Sequence, residues 1–552
     1  MKIFFIAGLV MLNAVVSGVN AQAPATQWQR AIGGGGEESA YSIELTRDGG
    51  YIIAGSTNST DGNLTGVPGY SQDDCWIVKV ASNGNIEWQK RYGSSGIDLI
   101  NDIKQTSDGG YIFTGRNNAN DIVDGDVTTG SGGWLVKLSE AGNIEWQTVA
   151  GSTGRAVSEA AGGGYWVGGS NFVAKYTSDG INVWLSFLSY AVNSIDATAD
   201  GGAIITGEAT TANRADVKVV KLNSQGAVVA DKELGTPGYE GGQSVIQTSD
   251  GGYIVAGYAS GVDVDHVHGY KGGSDAWVVK LNSLLDTVWT RAVGGTNNDI
   301  ARKIIQVEGG YMVAGETGST DGDITGYKGG AKDAWIFKLD NNGSLLWQQC
   351  LGGSSNDIFY DICRGADGGY LAAGHTYSND GDISGAHGSA DLWMVKLDED
   401  QVLPVTFGTI DAFLRNGALT VNWTSQKETN NAYYLVEASK DGKHFVTISY
   451  KVFTQALDGN SDIPLQYAFT KSYVELQGLA LLFLSLSITF KKRKSLWLLS
   501  FVIMVCTLSV LSCRKNGNDI ADSSDQNLYI RVVQVDADGQ KSYSKVITAI
   551  RQ

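Results

Sequence analysis

The residues of this sequence best suited to chemistry by type and spacing are aspartates, which recur close together in Gly-rich segments. Two carboxylates separated by one residue could be bridged by a hard cation such as Ca²⁺, which prefers oxygen ligands. We therefore predict a calcium site at Asp321, Asp323, Asp380 and Asp382, and no other cofactor is indicated. The alternative is that Asp and Gly only form turns, since the EF-hand spacing with its distal Glu is absent. The acidic tripeptides are Asp61-Gly62-Asn63, Asp124-Gly125-Asp126, Asp263-Val264-Asp265, Asp321-Gly322-Asp323 and Asp380-Gly381-Asp382.

Histidine is scarce, with five residues in the chain. His266 and His268 stand beside two aspartates and could ligate a transition metal, although one loop of this composition is also typical of a solvated turn. His375 and His387 have no evident nucleophile as a partner. The sequence therefore offers few groups for acid–base or nucleophilic catalysis.

Most of the remaining acids recur with a repeat in the sequence. Asp98, Asp299 and Asp357 occur once per copy, which indicates structural anchors, because an active site normally occurs once. A glycosidase would need two carboxylates fixed in one cleft, and no such pair stands out. We predict no catalytic residue.

The repeat has three markers, which fix the elements that position these acids. A tetrapeptide of the Asp-Gly-Gly-Tyr type occurs seven times, and an aromatic-x-x-Lys element and a lone Trp follow it in nearly every copy. The tetrapeptides start at Asp48, Asp108, Gly162, Asp200, Asp250, Glu308 and Asp367. The second markers start at Trp76, Trp134, Phe172, Trp277, Trp335 and Trp393, with Lys218 in the degenerate fourth copy, and the third are Trp28, Trp88, Trp146, Trp184, Trp289 and Trp347. Each copy predicts four short strands, of which the second and third are apolar on both faces and are therefore buried.

Seven such copies predict an all-β chain whose main body, residues 27–399, is a seven-bladed β-propeller. The chain enters with a fourth-strand sequence at 27–32 and the last copy lacks a fourth strand, so the N-terminal strand is predicted to complete the seventh blade. The segments between strands two and three span about twenty residues in five copies but are short in copies three and four. Long loops on a rigid scaffold usually carry function, so we predict a binding face with a gap over blades three and four.

The N-terminus and the net charge bear on location and on partners. Lys2, the apolar run 3–19 and Ala21-Gln22-Ala23 predict a secretory signal peptide over residues 1–23. Lys plus Arg number 41 and Asp plus Glu number 58, which gives a net charge of −17. This acidity disfavours nucleic acid as a partner.

A different composition begins after residue 402. Val421-Asn422-Trp423-Thr424 and Asp441-Gly442-Lys443, with closing strands at 529–536 and 539–546, resemble a fibronectin type III-like module over 403–470 and 528–552. An apolar and helical insertion, 471–527, is predicted to interrupt this module. Its runs 476–490 and 496–512 flank a basic tetrad and predict a transmembrane hairpin. The alternatives are a lipoprotein-like signal ending at Cys513 and a buried apolar excursion.

The repeat also resembles a known group of proteins. Its DGGY, DxWxVKL and GxIxW elements over 27–399 are similar to those of exported propeller-repeat proteins of Gram-negative bacteria that use the type IX secretion system. The resemblance implies a cell-envelope location rather than an activity. We therefore predict a non-catalytic binding or scaffold protein, anchored to a membrane through 476–512, with the propeller outside the cytoplasm. Its ligand would be an extracellular or periplasmic protein or a glycan.

The alternative function is a propeller enzyme. It would act on polysaccharide, or it would be a quinoprotein-like dehydrogenase, because the Gly-rich repeat with its trailing Trp also faintly resembles the pyrroloquinoline-quinone dehydrogenases. Those proteins have eight blades and shorter repeat units, whereas this chain shows seven copies.

Overall fold

The structure is a computed structural model, and its described residues fall into two compact units, one within 20–401 and the other within 402–552. The described residues are 23–70, 72–120, 124–210, 214–261, 267–399, 405–415, 418–428, 431–440, 442, 445–456, 459–461, 463–472, 528–536 and 541–551. The predicted signal peptide lies almost wholly outside them, as does the predicted insertion from residue 473 onward. Within the described residues, no helix is both long and apolar enough to cross a bilayer.

The first unit is built from seven four-stranded antiparallel sheets, here called blades one to seven. Blades one to three comprise β2 (Glu38–Leu45), β3 (Tyr51–Thr57), β4 (Asp74–Val80) and β5 (Ile86–Tyr92); β6 (Leu99–Gln105), β7 (Tyr111–Asn117), β8 (Gly132–Leu138) and β9 (Ile144–Val149); and β10 (Gly154–Glu159), β11 (Tyr165–Gly169), β12 (Phe172–Tyr176) and β13 (Asn182–Phe187). Blades four and five comprise β14 (Ala191–Ala197), β15 (Ala203–Thr210), β16 (Ala215–Leu222) and β17 (Val228–Leu234); and β18 (Glu240–Gln247), β19 (Tyr253–Ala259), β20 (Asp275–Leu281) and β21 (Thr287–Val293). Blades six and seven comprise β22 (Asp299–Val307), β23 (Gly310–Thr317), β24 (Asp333–Asp340) and β25 (Leu345–Leu351); and β26 (Asp357–Arg364), β27 (Tyr370–Thr376), β28 (Asp391–Leu397) and β1 (Thr26–Ile32). A 3₁₀ turn, Gly62–Leu64, lies in the long segment of blade one.

The blades form a closed ring, which is the architecture of a β-propeller. The first strand of each blade contacts the first strand of the next, and β2 contacts β26, so the ring closes on itself. The N-terminal strand β1 pairs antiparallel with β28, with Ala31 opposite Trp393, as the sequence predicts. First strands therefore line the centre of the ring, and the Trp-bearing fourth strands lie outermost.

The Asp-Gly-Gly elements form the predicted tight turns between strands one and two. In blade one, Gly49 has φ 82°, a conformation that Gly adopts without strain. Asp48 accepts hydrogen bonds from Thr46 Oγ1 at 2.5 Å and from Gly50 N at 3.0 Å. Its other oxygen forms an ion pair with the buried Lys79 of strand three at 2.8 Å.

That buried lysine explains why the third strand ends in an aromatic-x-x-Lys element. The same pair of residue types meets in five blades, where the lysine side chain fastens strand three to the turn. Partial burial alone would raise the pKa of Asp250, but hydrogen bonds from Lys280 and Thr248 lower it to about 2. The pairs are Lys79–Asp48, Lys137–Asp108, Lys221–Asp200, Lys280–Asp250 and Lys396–Asp367.

The long segments between strands two and three are fastened to their own blade. Trp76 Nε1 donates to Gln89 Oε1 at 3.1 Å, and Gln89 Nε2 donates to the Asn63 carbonyl of the long segment at 2.6 Å. The same bridge occurs in blades two, six and seven. Blade three has only residues 170–171 between strands two and three, and its outer strand β13 leaves Val183 and Phe187 59% and 67% exposed.

The second unit contains two sheets. One has the order β34 (Leu465–Ser472), β30 (Ala418–Glu428), β29 (Val405–Arg415) and β38 (Ile550–Arg551). The other is built on β31 (Asn431–Ser439) and β35 (Tyr529–Asp536), joined by β32 (Val446–Thr447), β33 (Val452–Phe453), β36 (Lys541–Tyr543) and β37 (Ile547–Thr548). Trp423, Tyr434 and Tyr467 form the aromatic centre of its core, with the Trp423 and Tyr467 rings stacked 5.5 Å apart. Glu428 is buried below them and accepts hydrogen bonds from both tyrosine hydroxyls.

Candidate functional site at the channel mouth

Buried acids at the blade junctions act as anchors for the backbone. Asp299, the first residue of blade six, is fully buried and accepts hydrogen bonds from Gly295 N at 2.8 Å, Thr317 Oγ1 at 2.5 Å and Ser319 Oγ at 2.9 Å. Asp98 and Asp357 bind their own loops in the same way. In each case the carboxylate accepts hydrogen bonds from the loops beside it, so these three residues hold those loops in place.

A second buried acid begins strand three in several blades and faces the first. Asp275 Oδ2 accepts a hydrogen bond from Lys271 N at 2.6 Å, whereas Oδ1 has no hydrogen-bond partner among the described residues. A methyl group on Gly294 would lie 2.6 Å from Asp275 Oδ1 and 2.5 Å from Asp299 Oδ2, so the two carboxylates are close neighbours. Burial raises the pKa of Asp275 to about 7, with the Asp299 charge adding to the shift and the Lys271 hydrogen bond opposing it.

The first two residues of the predicted calcium site lie in the long segment of blade six. Asp321 accepts hydrogen bonds from Thr296 N at 2.8 Å and from Thr296 Oγ1 at 3.1 Å. Asp323 accepts a hydrogen bond from Lys271 Nζ at 2.5 Å, which is also an ion pair. Both carboxylates therefore hold neighbouring loops through direct protein contacts.

The other two predicted ligands have the same arrangement in blade seven. Asp380 accepts a hydrogen bond from Ser354 N at 2.7 Å, and Asp382 forms an ion pair with Lys328 at 3.3 Å. The hydrogen bonds from Ser354 lower the pKa of Asp380. No group of three or more His, Cys, Asp or Glu side chains arranged to hold a metal ion occurs in the part of the chain that the structure describes. Calcium binding at these four aspartates stays a prediction.

The described histidines, His268, His375 and His387, show no contact with one another. His266 and both aspartates of its loop lie outside the described residues, while His268 contributes its carbonyl to a hydrogen bond from Ala292 N. The His387 imidazole lies 3.6 Å from Asp391. His375 lies apart from these, in strand two of blade seven.

A β-bulge occurs at the same place in the first strand of every blade. In blade one, Ala40 and Ser42 pair with consecutive residues of strand two, so Tyr41 is the extra residue between them. A bulge of this kind redirects one side chain, and bulges are frequent next to functional sites. The seven bulged residues, here called the mouth belt, are Tyr41, Asn101, Arg155, Asn193, Gln243, Arg302 and Tyr360.

Members of the mouth belt contact their neighbours around the ring. The Tyr41 and Tyr360 rings meet edge to face at 5.2 Å, and the Arg302 guanidinium lies over the Tyr360 ring at 5.5 Å. Asn193 receives a hydrogen bond from Arg155 at 2.5 Å and donates to the Gly242 carbonyl at 2.9 Å. Because first strands line the centre and their starts follow the inter-blade loops, the belt encircles the channel on the long-loop side.

Aromatic side chains extend the belt outward over blade seven. The His375 ring lies 5.5 Å from Tyr360 and 5.3 Å from Tyr377, and its Nδ1 lies 3.2 Å from Ser39 Oγ. Burial lowers the pKa of His375 to about 4, so the imidazole is neutral at physiological pH. Tyr377 is 44% exposed and completes an aromatic wall with Tyr41, Tyr360 and His375.

A buried carboxylate lies beside this wall. Glu316 is 1% exposed, and its Oε1 accepts hydrogen bonds from Arg302 at 3.2 Å and from Lys332 at 2.8 Å. Its Oε2 has no hydrogen-bond partner among the described residues. Both cations therefore pair with one oxygen of Glu316, while the other oxygen is buried.

Below the belt, charged side chains cross-link the throat of the channel. Ser42 Oγ donates to Asp102 at 2.9 Å, and Lys104 lies 3.2 Å from the same carboxylate. Lys303 pairs with Asp361 at 3.3 Å. Like the mouth belt, this network is not repeated from blade to blade.

The sequence reasoning missed both the belt and the throat. The signal was the mixed composition of the first strands, which differ from copy to copy while the flanking markers recur. Only the register between strands one and two shows that one residue per copy is extra and points away from its neighbours.

Comparison with known proteins shows likenesses of fold. No protein-family model matches the chain. A segment is 29% identical over 187 residues to the regulatory protein FlaEY of Caulobacter vibrioides, covering 31% of this chain and 19% of FlaEY. The match thus spans about a fifth of that relative.

Three solved structures resemble the chain at low sequence identity. The Pan2 WD40 domain of Neurospora crassa is 11% identical with a TM-score of 0.40, covering 67% of this chain and 96% of that one. PorZ of Porphyromonas gingivalis, a bacterial surface component of the type IX secretion system, is 11% identical with a TM-score of 0.38, covering 95% and 61%. BamB of Moraxella catarrhalis is 15% identical with a TM-score of 0.30, covering 58% and 83%. At these identities each is a likeness of fold alone.

Proposed function

We propose that this chain is a non-catalytic binding or scaffold protein whose seven-bladed propeller takes its ligand at the mouth belt. The observation that carries the proposal is the contrast within the belt. Its seven positions share one backbone geometry, yet they carry tyrosine, amide and arginine side chains in an order that does not repeat. A structural anchor repeats its residue type, as the junction acids do, whereas a surface that reads a ligand varies.

The surroundings of the belt fit binding better than catalysis. Aromatic rings supply contact area at low entropic cost, and the amides and guanidiniums supply directional hydrogen bonds. His375 is neutral at physiological pH, its Nδ1 lies beside the Ser39 hydroxyl, and its ring packs against Tyr360 and Tyr377. The mouth therefore offers groups suited to recognition.

The proposed cellular location of this binding protein rests on the sequence. The N-terminal signal and the type IX-like repeat elements support export to the cell envelope, with a fibronectin type III-like second module. The apolar runs 476–490 and 496–512 support anchoring to a membrane, with the propeller outside the cytoplasm. In this setting the ligand is an extracellular or periplasmic glycan or protein.

Calcium at Asp321, Asp323, Asp380 and Asp382 is kept as a separate proposal. Two of these carboxylates pair with lysines, so a calcium ion would have to displace Lys271 in blade six and Lys328 in blade seven. Calorimetry on the full chain would show calcium binding that disappears when the four aspartates become alanine. No calcium-dependent heat and no change in melting temperature would overturn this proposal.

Glycan and peptide arrays test the proposed function. The full-length chain is compared with Tyr360→Ala and with a control, Arg47→Ala, which removes a side chain from the turn between strands one and two on the opposite face. Ligands retained by the wild type and by Arg47→Ala but lost by Tyr360→Ala support binding at the mouth. Ligands retained equally by all three proteins place binding elsewhere and contradict the proposal.

A further inference from the structure

Positive charge in the mouth is left uncompensated over blades two and three. Arg155 of the belt donates to the Asn193 amide oxygen, and Arg116, at the end of strand two, donates to the Asn118 amide oxygen at 2.8 Å. Neither arginine forms an ion pair among the described residues. Their guanidiniums therefore keep their charge and part of their donor capacity for a ligand.

Three acidic side chains of the mouth lie in or beside other blades. Glu316 of blade six is paired with Arg302 and Lys332, while Glu37 lies near Tyr377 beside blade one and Glu208 of blade four accepts from the Tyr258 hydroxyl at 3.4 Å. The unpaired positive charge of the mouth is thus local to blades two and three, in a chain whose net charge is −17. An acidic ligand would be drawn to this point of an otherwise repulsive surface.

The other side chains of the mouth suit a sugar. A sugar ring has apolar C–H faces, which pack on aromatic rings such as Tyr360 and Tyr377, and hydroxyl edges, which bind amides and carboxylates. Amides of the belt border the mouth: Asn193 is bonded to Arg155 and to the Gly242 carbonyl, and Asn101 donates to the Gly154 carbonyl, which leaves, among the described residues, the Asn101 amide oxygen and Gln243 for a ligand.

The shape of the face leaves room for a chain of such sugars. Strands two and three of blade three are joined by residues 170–171 alone, so no long loop covers the side where Arg155 lies. An extended ligand could therefore lie across the mouth from the aromatic wall and leave over blade three. A peptide could follow the same path, so peptide binding is an alternative outcome of the test.

We propose that the mouth binds an acidic oligosaccharide, with ring faces on the aromatic wall and carboxylates on Arg116 and Arg155. This assignment rests on the proposed function and specifies its ligand class. Arginine binds a carboxylate through two parallel hydrogen bonds, which gives affinity and fixes orientation.

Calorimetry with two matched saccharides tests the assignment. The probes are tetragalacturonate and its methyl ester, which has the same rings without the charges. The proteins are the full-length wild type, Arg116→Gln/Arg155→Gln, Tyr360→Ala, and the control Arg47→Gln/Arg364→Gln, which makes the same charge change at the opposite face. We expect tetragalacturonate to bind the wild type and the control alike. It should bind Arg116→Gln/Arg155→Gln about tenfold or more weakly. The ester is expected to bind weakly and to be indifferent to the arginines.

The alternative outcomes separate the two proposals. Equal binding of acid and ester that is lost in Tyr360→Ala would overturn the acidic class and leave a sugar site at the mouth. Binding of tetragalacturonate that no mouth substitution changes would contradict both proposals. Failure of both probes to bind, together with a peptide retained on arrays through Tyr360, would overturn the oligosaccharide class and favour a peptide ligand.

Discussion

The buried pair Asp275 and Asp299 predicts that one substitution stabilises the propeller at neutral pH and not in acid. Asp275 is fully buried, one of its oxygens lacks a hydrogen-bond partner among the described residues, and the Asp299 carboxylate lies close to that oxygen. The substitution is Asp275→Asn. The amide oxygen keeps the bond from Lys271 N, and the NH₂ group carries no negative charge for Asp299 to repel.

The magnitude follows from the pKa of Asp275, which rises from 3.8 to about 7 on folding. Between these values the folded chain keeps a proton that the unfolded chain has lost, so stability falls as pH rises. The loss is complete above about pH 7. A shift of roughly three pKa units at about 1.4 kcal/mol each sets an upper limit of about 4 kcal/mol. Asn cannot ionise, so the variant avoids this loss.

Urea unfolding of wild type and variant between pH 4 and pH 8, followed by Trp fluorescence, measures the effect. We expect similar stability at pH 4 and a gain for Asp275→Asn at pH 8 of up to about 4 kcal/mol. The control is Asp299→Asn, whose NH₂ group replaces an oxygen that accepts two hydrogen bonds, so it should destabilise the propeller at pH 8 by about 1–3 kcal/mol, whereas Asp275→Asn stabilises it. A difference between Asp275→Asn and wild type that does not change with pH would refute the reasoning.

Other predictions test the remaining structural arguments. Lys280→Met leaves Asp250 without its ion pair, so we expect the pKa of Asp250, now about 2, to rise towards 3.8 in an NMR titration and stability to fall by about 1–3 kcal/mol; an unchanged pKa would show that the lysine does not hold the turn. Deleting 476–512 should move the exported protein from the membrane fraction to the soluble fraction without changing the Trp fluorescence of the propeller. Full-length protein that is already soluble without detergent would contradict membrane anchoring.

The strands and the ring closure could be predicted from the sequence because local signals fix them. Asp-Gly-Gly requires a tight turn, and a lysine at the end of an apolar strand needs the turn carboxylate that Asp48 supplies to Lys79. The unmatched fourth-strand sequence before β2 likewise leaves one way to pair, with β28. These signals lie within one copy of the repeat or at the two ends of the set.

The candidate site could not be predicted in this way because it arises from register and from contacts between copies. Tyr41 and Tyr360 lie more than 300 residues apart and meet only once the ring closes. The sequence pointed instead to the Asp-Gly-Asp loops, because the spacing of carboxylates can be read from the sequence. Their lysine partners, such as Lys271, can be identified only in the structure. The junction aspartates recur in the repeat and could therefore be recognised as structural anchors. The bulged residue of strand one could not be recognised, because its type varies from copy to copy.

The most direct test of the account is the structure of the full-length chain bound to a ligand selected on the arrays. The account predicts ligand density at the channel mouth on the long-loop side, against Tyr360 and within hydrogen-bond distance of Arg155. Density at the tight-turn face, or along an outer strand such as β13, with the mouth belt unchanged, would contradict it.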